Sequence, residues 1–380
     1  CWTAGRSRRV SEMKVVVTGA NGFIGRNLRL RLSEVEGMET VAVTRETTPD
    51  QLRAALADAD AVIHLAGVNR PQDPAEFTTG NADQTAALVA ALGDRAVPVI
   101  YSSSTQAEAD NPYGASKRAA EDHLRAYAKA TGAPVAIYRL PNVFGKWARP
   151  NYNSAIATFC HNIARDLPIT VNDPSAPLTL VYVDDVIEAF LGWLKGPEAI
   201  DGFAEVPVVY RTTVGEVADQ IRAFRSIRET HTAGPVGVGL TRALYATYVS
   251  ALPVQDFAYP LVQHGDPRGV FVEMLKTEQS GQFSYFTAHP GITRGGHYHH
   301  TKTEKFLVLK GHARFRFRHM ETGETYAVET EGGQPMVVET IPGWAHDITN
   351  VGDEEMIVML WANEIFDRAR PDTIANGLTG

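Results

Sequence analysis

The stretch Val15-Val16-Val17-Thr18-Gly19-Ala20-Asn21-Gly22-Phe23-Ile24-Gly25 decides the fold of the first part of this chain. An apolar run leads into G-x-x-G-x-x-G, and Arg26–Ser33 behind it has helical composition. Glycines let the backbone turn tightly and come close to a pyrophosphate. A helix N-terminus behind them supplies free N–H groups and the positive end of its dipole. Gly19, Asn21, Gly22, Phe23, Ile24 and Gly25 are therefore candidate dinucleotide-binding residues. The strand before and the helix after separate this motif from an ordinary glycine-rich turn.

Outward from this turn, strand-like and helix-like segments alternate. Thr40–Thr44, Ala61–Leu65, Val97–Tyr101 and Val135–Arg139 read as buried strands, and Gln51–Ala57, Asp83–Leu92 and Lys117–Ala130 as helices. That alternation predicts an α/β, doubly wound Rossmann-type parallel sheet covered on both faces. A mixed segment, 150–227, follows. Residues 230–269 are rich in Gly, Pro and Tyr and read as a linker with one short helix near Thr241–Ser250. From Gly269 the text is all β. Arg314–Arg318 reads R-F-R-F-R, a period of two, and Glu304–Leu309, Pro335–Thr340 and Met356–Trp361 are further short strands between glycine turns. Such a pattern predicts a sandwich or barrel. The expected domains are 13–252 and 253–380.

Composition excludes several function classes. The chain has 380 residues, is 44% hydrophobic and 21% charged, and carries a formal net charge of -8. An acidic balance of this kind leaves no footprint for nucleic acid or an anionic membrane surface. No apolar run approaches the roughly 20 residues of a membrane span. Two cysteines, Cys1 and Cys160, fit a reducing cytoplasm. The first twelve residues carry Arg6, Arg8 and Arg9 but no apolar segment of a secretory signal; Met13 is a candidate initiator.

The residue that reads the adenosine ribose is expected about 20 positions past the glycines, at the end of the second strand. Thr44-Arg45 stands there. An Arg suits a 2′-phosphate where an acid would suit a free ribose, so Arg45 points to NADP(H). The chemistry is carried by Tyr101-Ser102-Ser103-Ser104 and Tyr113-Gly114-Ala115-Ser116-Lys117. Tyr113 and Lys117, four apart, share a helix face. An ammonium near a phenol lowers its pKa, so Tyr113 can pass a proton to a carbonyl oxygen, while a serine at the strand end holds the same oxygen. Pro112 marks the helix start.

These residues resemble the extended short-chain dehydrogenase/reductase family of nucleotide-sugar enzymes. So do His64-Leu65-Ala66-Gly67, Arg139-Leu140-Pro141-Asn142-Val143-Phe144-Gly145 and Val183-Asp184-Asp185-Val186. The resemblance implies that Leu65 and Ala66 line the cofactor and that Asn142 borders the nicotinamide and sugar. It makes Ser104 the expected catalytic hydroxyl, with Ser103 and Thr105 as alternatives, because the spacing from Ser104 to Tyr113 is shorter than in most relatives. Thr105-Gln106 stands where sugar dehydratases of the family carry an acid pair, which favours keto reduction over loss of water.

A second constellation, Gly291-x5-His297-x-His299-x4-Glu304-x6-Gly311, lies in the β-rich part. On a strand His297 and His299 share a face, and Glu304 returns on the neighbouring strand. His346 follows in Pro342-Gly343-Trp344-Ala345-His346. Three imidazoles and a carboxylate suit zinc, manganese, iron or nickel, with zinc the first choice. The pattern resembles the two motifs of the cupin family, a jelly-roll barrel, except that Pro342 and Gly343 are adjacent. The arginine stripe reads as a solvated face, and His289 and His300 as ordinary loop histidines.

The order of reductase, linker and metal cupin resembles the fused enzymes of bacterial capsule and O-antigen synthesis. Asn111-Pro112-Tyr113-Gly114, Phe144-Gly145-Lys146-Trp147 and His299-His300-Thr301-Lys302 carry this likeness. It implies a UDP-4-keto-6-deoxy-N-acetylhexosamine substrate, on the route to UDP-N-acetyl-L-fucosamine. The cupin would epimerise C-3 and the reductase would reduce the C-4 ketone with NADPH. It further implies a homodimer through the cupin. Lys302, Tyr298 and the surroundings of Trp344 are rim candidates for the substrate. The alternatives are a monofunctional reductase whose cupin only dimerises, and a non-catalytic NADP sensor.

Overall fold

Five strands, β1 (Met13–Thr18), β2 (Met38–Val43), β3 (Ala61–His64), β4 (Val99–Ser104) and β5 (Val135–Leu140), form one sheet in the computed structural model of the protein. The structure describes residues 13–262, 264–266, 269–271, 274–277, 281–364 and 366–378; the basic start, 1–12, lies outside them. The sheet order is β2-β1-β3-β4-β5 and every pairing is parallel. The order reverses at β1/β3, which opens a crevice at the C-terminal ends of those two strands, the place where such sheets bind ligands.

A parallel sheet is covered on both faces, so its strands read as continuous apolar runs. Val16, Val62, Val99, Tyr101 and Ile137 meet Leu56, Leu88, Leu92, Leu124 and Tyr127 in one core. Those partners come from helices Pro49–Leu56, Gln84–Leu92 and Pro112–Thr131. Alternate strand residues Val15, Val17, Ile63 and Ile100 are equally buried and project to the opposite face. Helices Phe23–Ser33 and Val183–Leu194 pack on each other and bury Leu28, Leu32, Val186, Ile187 and Phe190. These elements belong to a compact unit of residues 13–143 and 179–209.

The second unit comprises 144–178 and 210 onward. It contains two five-stranded antiparallel sheets. One runs Ala258–Pro260, Met336–Glu339, Glu304–Lys310, Met356–Ala362, Gln282–Ala288. The other runs Thr325–Glu331, His312–His319, Trp344–Asn350, Thr293–Tyr298, Ile374–Ala375. Phe306 of the first sheet and Phe315 of the second meet with ring centroids 5.7 Å apart, so the two sheets face each other across an aromatic core. Phe257 packs edge-on against Trp344 at 5.0 Å and Phe317 at 5.6 Å. The all-β second half expected from the sequence is present as this cupin-like pair of sheets.

The arginine stripe lies on the outward, partly solvated face of its strand, as expected, and it is also paired. Phe315 and Phe317 point inward, and each intervening Arg has a partner. Arg314 pairs with Glu329, Arg316 donates twice to the buried Asp347 at 2.9 and 2.6 Å, and Arg318 donates to Asn376. The stretch expected to be a linker departs from that expectation. Helix Gly239–Ser250 packs with helices Val214–Thr230 and Ala155–Ile163. Its Tyr245 and Tyr248 are fully buried, and those rings give a Gly- and Pro-rich text the apolar area it needs to fold.

No described helix is long and apolar enough to cross a membrane. One buried charge group joins strands Glu304–Lys310 and Met336–Glu339. The Glu339 carboxylate accepts from Lys305 and Arg228. Burial opposes its ionisation, yet the two cations hold its pKa below the usual carboxylate range. Removing one member of a buried pair strands the other charge. Glu339→Ala is therefore expected to destabilise the protein by about 3–5 kcal/mol. Urea unfolding followed by tryptophan fluorescence measures this, and an unchanged midpoint would contradict the assignment.

Candidate active sites

The glycine turn is built as its spacing requires. Gly22 precedes helix Phe23–Ser33, and its N–H donates to the Gly19 carbonyl at 2.9 Å. Gly19 has φ +65, and a Cβ there would lie 2.7 Å from the Ala66 nitrogen and 2.8 Å from the Leu65 carbonyl carbon. Only glycine lets the loop after β1 touch the loop after β3 in this way. Asn21 and Gly22 are exposed at the tip, Phe23 and Ile24 are half-buried, and Gly25 is buried beneath. The open helix terminus and exposed tip form a cradle suited to a diphosphate. Arg45 is exposed just past β2, beside Glu46.

Loop 64–68 is held from below by a polar network. Thr18 Oγ1 lies 2.6 Å from His64 Nδ1 and accepts from the Ala66 N–H at 3.2 Å. His64 Nε2 lies 2.9 Å from Thr85 Oγ1, which donates to the Asn81 carbonyl at 2.8 Å. Thr85 has spent its proton, so Nε2 donates to it and Nδ1 accepts from Thr18. Burial, reinforced by nearby Lys117, drives the His64 pKa down to about 3 and keeps the ring neutral. Asn81, within the π-helical turn Thr78–Asp83, accepts from the Val68 N–H at 3.1 Å and donates to its carbonyl at 2.9 Å. Sequence reasoning missed Asn81, because nothing in Thr79-Gly80-Asn81 marks its reach to Val68.

Ser104, Tyr113 and Lys117 converge. Asn111 caps helix Pro112–Thr131 by accepting from the Gly114 N–H at 2.8 Å, and the turn Thr105–Glu108 folds the short connection back on itself. Arg118 fastens that turn by donating to the Ala107 and Ala109 carbonyls at 2.5 and 2.8 Å. The shortened spacing still places Ser104 beside Tyr113, where it acts against the effect of burial on the phenol. Ser103 is committed elsewhere: it donates to the buried Glu121 at 2.5 Å, and Glu121 also holds Arg139.

Lys117 is buried. Its ammonium donates to the Ser102 carbonyl at 3.1 Å and sits 6.0 Å from the Tyr113 ring centroid. Burial lowers the Lys117 pKa to about 8, against the pull of Glu121. The expected depression of the Tyr113 pKa is absent: burial raises it, and only Ser104 opposes the rise. Asn142 is exposed and donates to the Thr179 carbonyl at 3.4 Å.

In the second unit His297, His299, Glu304 and His346 bring their ligand atoms within 4.8 Å of one another. Cross-strand register places two of them: His297 pairs with His346, after a bulge between Gly295 and His297 that re-aims the strand. His299 lies just past the end of Thr293–Tyr298. Glu304 does not return on the neighbouring strand, as its spacing suggests. It opens Glu304–Lys310 in the facing sheet, because loop 299–303 crosses between sheets. The adjacent Pro342-Gly343 pair is accommodated by Gly343 at φ +81, where a Cβ would sit 2.7 Å from the Trp147 indole. The Gly343 N–H donates to the His299 carbonyl at 2.9 Å, tying both motifs together.

The protons of this cluster decide what it can hold. His299 Nδ1 lies 2.6 Å from the Asp372 carbonyl oxygen, which can only accept, so Nδ1 carries the proton. With Nδ1 so engaged, His299 turns Nε2 toward Glu304 Oε2, 3.1 Å away. His346 Nδ1 faces the Trp344 carbonyl at 3.5 Å, and its Nε2 is buried without a hydrogen-bond partner, 3.6 Å from the same carboxylate. Burial works against ionisation of Glu304, but the two imidazoles beside it win and hold its pKa well below normal. Burial and the other two imidazoles push His297 down to about 3. Three imidazoles around a carboxylate, with His299 and His346 each oriented from behind by a carbonyl, match the donor set of a divalent cation.

Asp372 is the second residue that sequence reasoning missed. Lys302 is buried, and its ammonium donates to Thr373 Oγ1 at 2.7 Å and the Pro371 carbonyl at 3.3 Å. Tyr298 is buried against His300.

Comparison with known proteins agrees with both halves. Residues 15–206 match the NAD dependent epimerase/dehydratase family, and 264–374 match the polysaccharide biosynthesis C-terminal domain. The chain is 58% identical over 365 residues to the UDP-2-acetamido-2,6-beta-L-arabino-hexul-4-ose reductase of Pseudomonas aeruginosa, covering 96% of this chain and 98% of that one. It is similar to the crystal structure of the capsular polysaccharide assembling protein CapF from Staphylococcus aureus. That match has a TM-score of 0.66 and 43% identity, covering 96% of this chain and all of the other. The UDP-glucuronic acid 4-epimerase of Bacillus cereus, solved with NAD, shares the fold at a TM-score of 0.54 and 20% identity over 63% of this chain and 98% of its own. With a glycine cradle at the β1/β3 crevice and a converged Ser–Tyr–Lys group, the chain belongs to the NAD dependent epimerase/dehydratase family, with a polysaccharide biosynthesis C-terminal domain behind it.

Proposed function

We propose that the protein is a bifunctional UDP-sugar enzyme. Its cupin part, 253–380, inverts C-3 of UDP-2-acetamido-2,6-dideoxy-4-hexulose. Its reductase part, 13–252, then reduces the C-4 ketone with NADPH to UDP-N-acetyl-6-deoxy-L-talosamine, on the route to UDP-N-acetyl-L-fucosamine. The observation that carries this reading is that one chain holds both a converged Ser104–Tyr113–Lys117 group and a buried His297–His299–Glu304–His346 cluster. The name of the Pseudomonas aeruginosa relative, a reductase of a UDP-linked hexul-4-ose, supports the substrate class. The enzyme is read as a cytoplasmic homodimer joined through the cupin.

NADPH, when bound, supplies the hydride to C-4. Tyr113 delivers its phenolic proton to the ketone oxygen, so the ketone becomes an alcohol. Ser104 holds the same oxygen. Lys117, already aimed along the Tyr113 face, is placed for the nicotinamide ribose and for restoring the phenol. Gly19, Gly22 and the helix terminus take the pyrophosphate, Leu65 and Ala66 border the cofactor, and Arg45 takes the 2′-phosphate. Asn142 lies toward the sugar. At the other site His297, His299, Glu304 and His346 would hold a divalent cation, zinc first among the choices. Such a cation supplies positive charge to an oxyanion beside C-3. The carbon acid loses its proton and regains it on the opposite face.

Incubating the protein with the UDP-4-keto-sugar in heavy water, without NADPH, is expected to place deuterium at C-3. Reduction without any exchange would sink the epimerase reading and leave a monofunctional reductase whose cupin only dimerises. Tyr113→Phe should slow NADPH oxidation by about 10²–10⁴-fold and leave the exchange intact. Loss of both activities would refute two separate sites. Arg45→Ala is expected to weaken NADPH binding by about 10–100-fold, the loss of a charged contact worth about 1.5–3 kcal/mol. NADH binding should stay unchanged; an equal loss for both cofactors would place the 2′-phosphate elsewhere.

A further inference from the structure

The C-terminal segment 371–376 lies across the loop that carries His299, and it is fastened at both ends. Ile374–Ala375 pairs with Tyr298 and His297, and the Asn376 N–H donates to the Gly296 carbonyl at 2.7 Å. Arg318 holds the Asn376 side chain and donates to the Gly377 carbonyl at 3.0 Å. At the other end the Lys302 ammonium binds Pro371 and Thr373 on either side of Asp372. Between these anchors Asp372 sits at φ +38, a backbone conformation that a non-glycine residue keeps only where its surroundings hold it.

Asp372 makes two kinds of contact at once. Its carboxylate accepts from the backbone N–H groups of His300, Thr301 and Lys302 at 2.9, 2.8 and 2.8 Å, and from Thr301 Oγ1 at 3.1 Å. Three consecutive amides aimed at one anion form a nest, and that nest sets the path of the chain from His299 to Glu304. Its own carbonyl accepts the Nδ1 proton of His299. The side chain therefore fixes where His299 and Glu304 stand, and the main chain fixes which nitrogen of His299 faces Glu304.

We propose that Asp372 is the positioning residue of the cation site, acting through its carboxylate on loop 300–302 and through its carbonyl on the tautomer of His299. The proposal rests on the reading of His297, His299, Glu304 and His346 as a cation site. It explains why a residue far along the chain is fastened to the loop between these ligands, and why Lys302 and Arg318 bind the tail.

Cobalt(II) provides the test, because its visible spectrum reports ligand geometry. The full-length chain, Asp372→Asn, Asp372→Ala and a chain ending at Pro371 are titrated with cobalt against a chromophoric chelator. NADPH binding and the thermal midpoint of the cobalt-free protein are measured alongside. Asn keeps the carbonyl and loses part of the nest, so Asp372→Asn should weaken cobalt binding by about 10-fold and Asp372→Ala by more. The chain ending at Pro371 loses both contacts and should weaken it by about 100-fold. The ligand-field bands of Asp372→Asn should move, with NADPH binding and the cobalt-free midpoint unchanged. Full affinity and an unaltered spectrum in Asp372→Asn and Asp372→Ala would overturn the proposal. So would weaker binding that merely follows a lower cobalt-free midpoint with the bands unmoved. A full-length chain that binds neither cobalt nor zinc would overturn the cation site itself and the proposal with it.

Discussion

The second unit is organised around a buried carboxylate, Glu304, kept among imidazole nitrogens. Glu304 lies 3.1 Å from one such nitrogen and 3.6 Å from another. A buried charge without compensation costs several kcal/mol, so a folded chain does not build this arrangement idly. The surrounding features all serve to preserve it. The bulge before His297, the register that sets His297 against His346, the Gly343–His299 hydrogen bond and the Asp372 carbonyl each remove one degree of freedom from one ligand. The aromatic core of Phe306, Phe315, Phe317 and Phe257 backs the strands that carry them.

The first unit solves a related problem without a cation. Its crevice must present backbone N–H groups and a poised phenol while staying rigid before any ligand arrives. Rigidity comes from neutral groups: Thr18, His64, Thr85 and Asn81 form a chain in which every proton has one destination. A charged His64 would break that chain, and burial prevents it. Lys117 places a charge under the loop. It is buried, donates to the Ser102 carbonyl and is drawn to Glu121 through charge alone, so its ammonium keeps hydrogen-bonding capacity for an incoming hydroxyl.

Legibility in the sequence follows range. Gly19 to Gly25, Tyr113 with Lys117, and His297 with His299 and Glu304 were readable because a turn, a helix face and a strand end impose short, fixed spacings. Asn81 and Asp372 were not readable. One secures a loop thirteen residues back and the other a loop seventy residues back, and no local pattern announces a contact at that distance. Glu304 illustrates the middle case. Its identity as a ligand candidate was visible, but not that it arrives from the facing sheet, because sequence spacing carries no sign of which sheet a loop crosses to. The segment 230–269 misled for another reason. Its glycines and prolines spoke louder than Tyr245 and Tyr248, whose burial makes that stretch part of a packed unit.

On the proposed reading, the chemistry itself orders the two reactions. The proton on C-3 is acidic only while C-4 is a ketone, because the neighbouring oxygen must accept the negative charge. Reduction at C-4 removes that acceptor and freezes whatever configuration C-3 then has. Epimerisation must therefore come first, and the reductase selects among epimers by which one it reduces. An unfavourable epimer ratio at C-3 is then no obstacle, since hydride transfer drains the minor form and the pool refills it. A chain that carries both sites keeps the reversible step and the committing step at equal concentration, whatever its expression level. This gives a physical reason for the fusion that does not depend on any transfer of substrate from one site to the other.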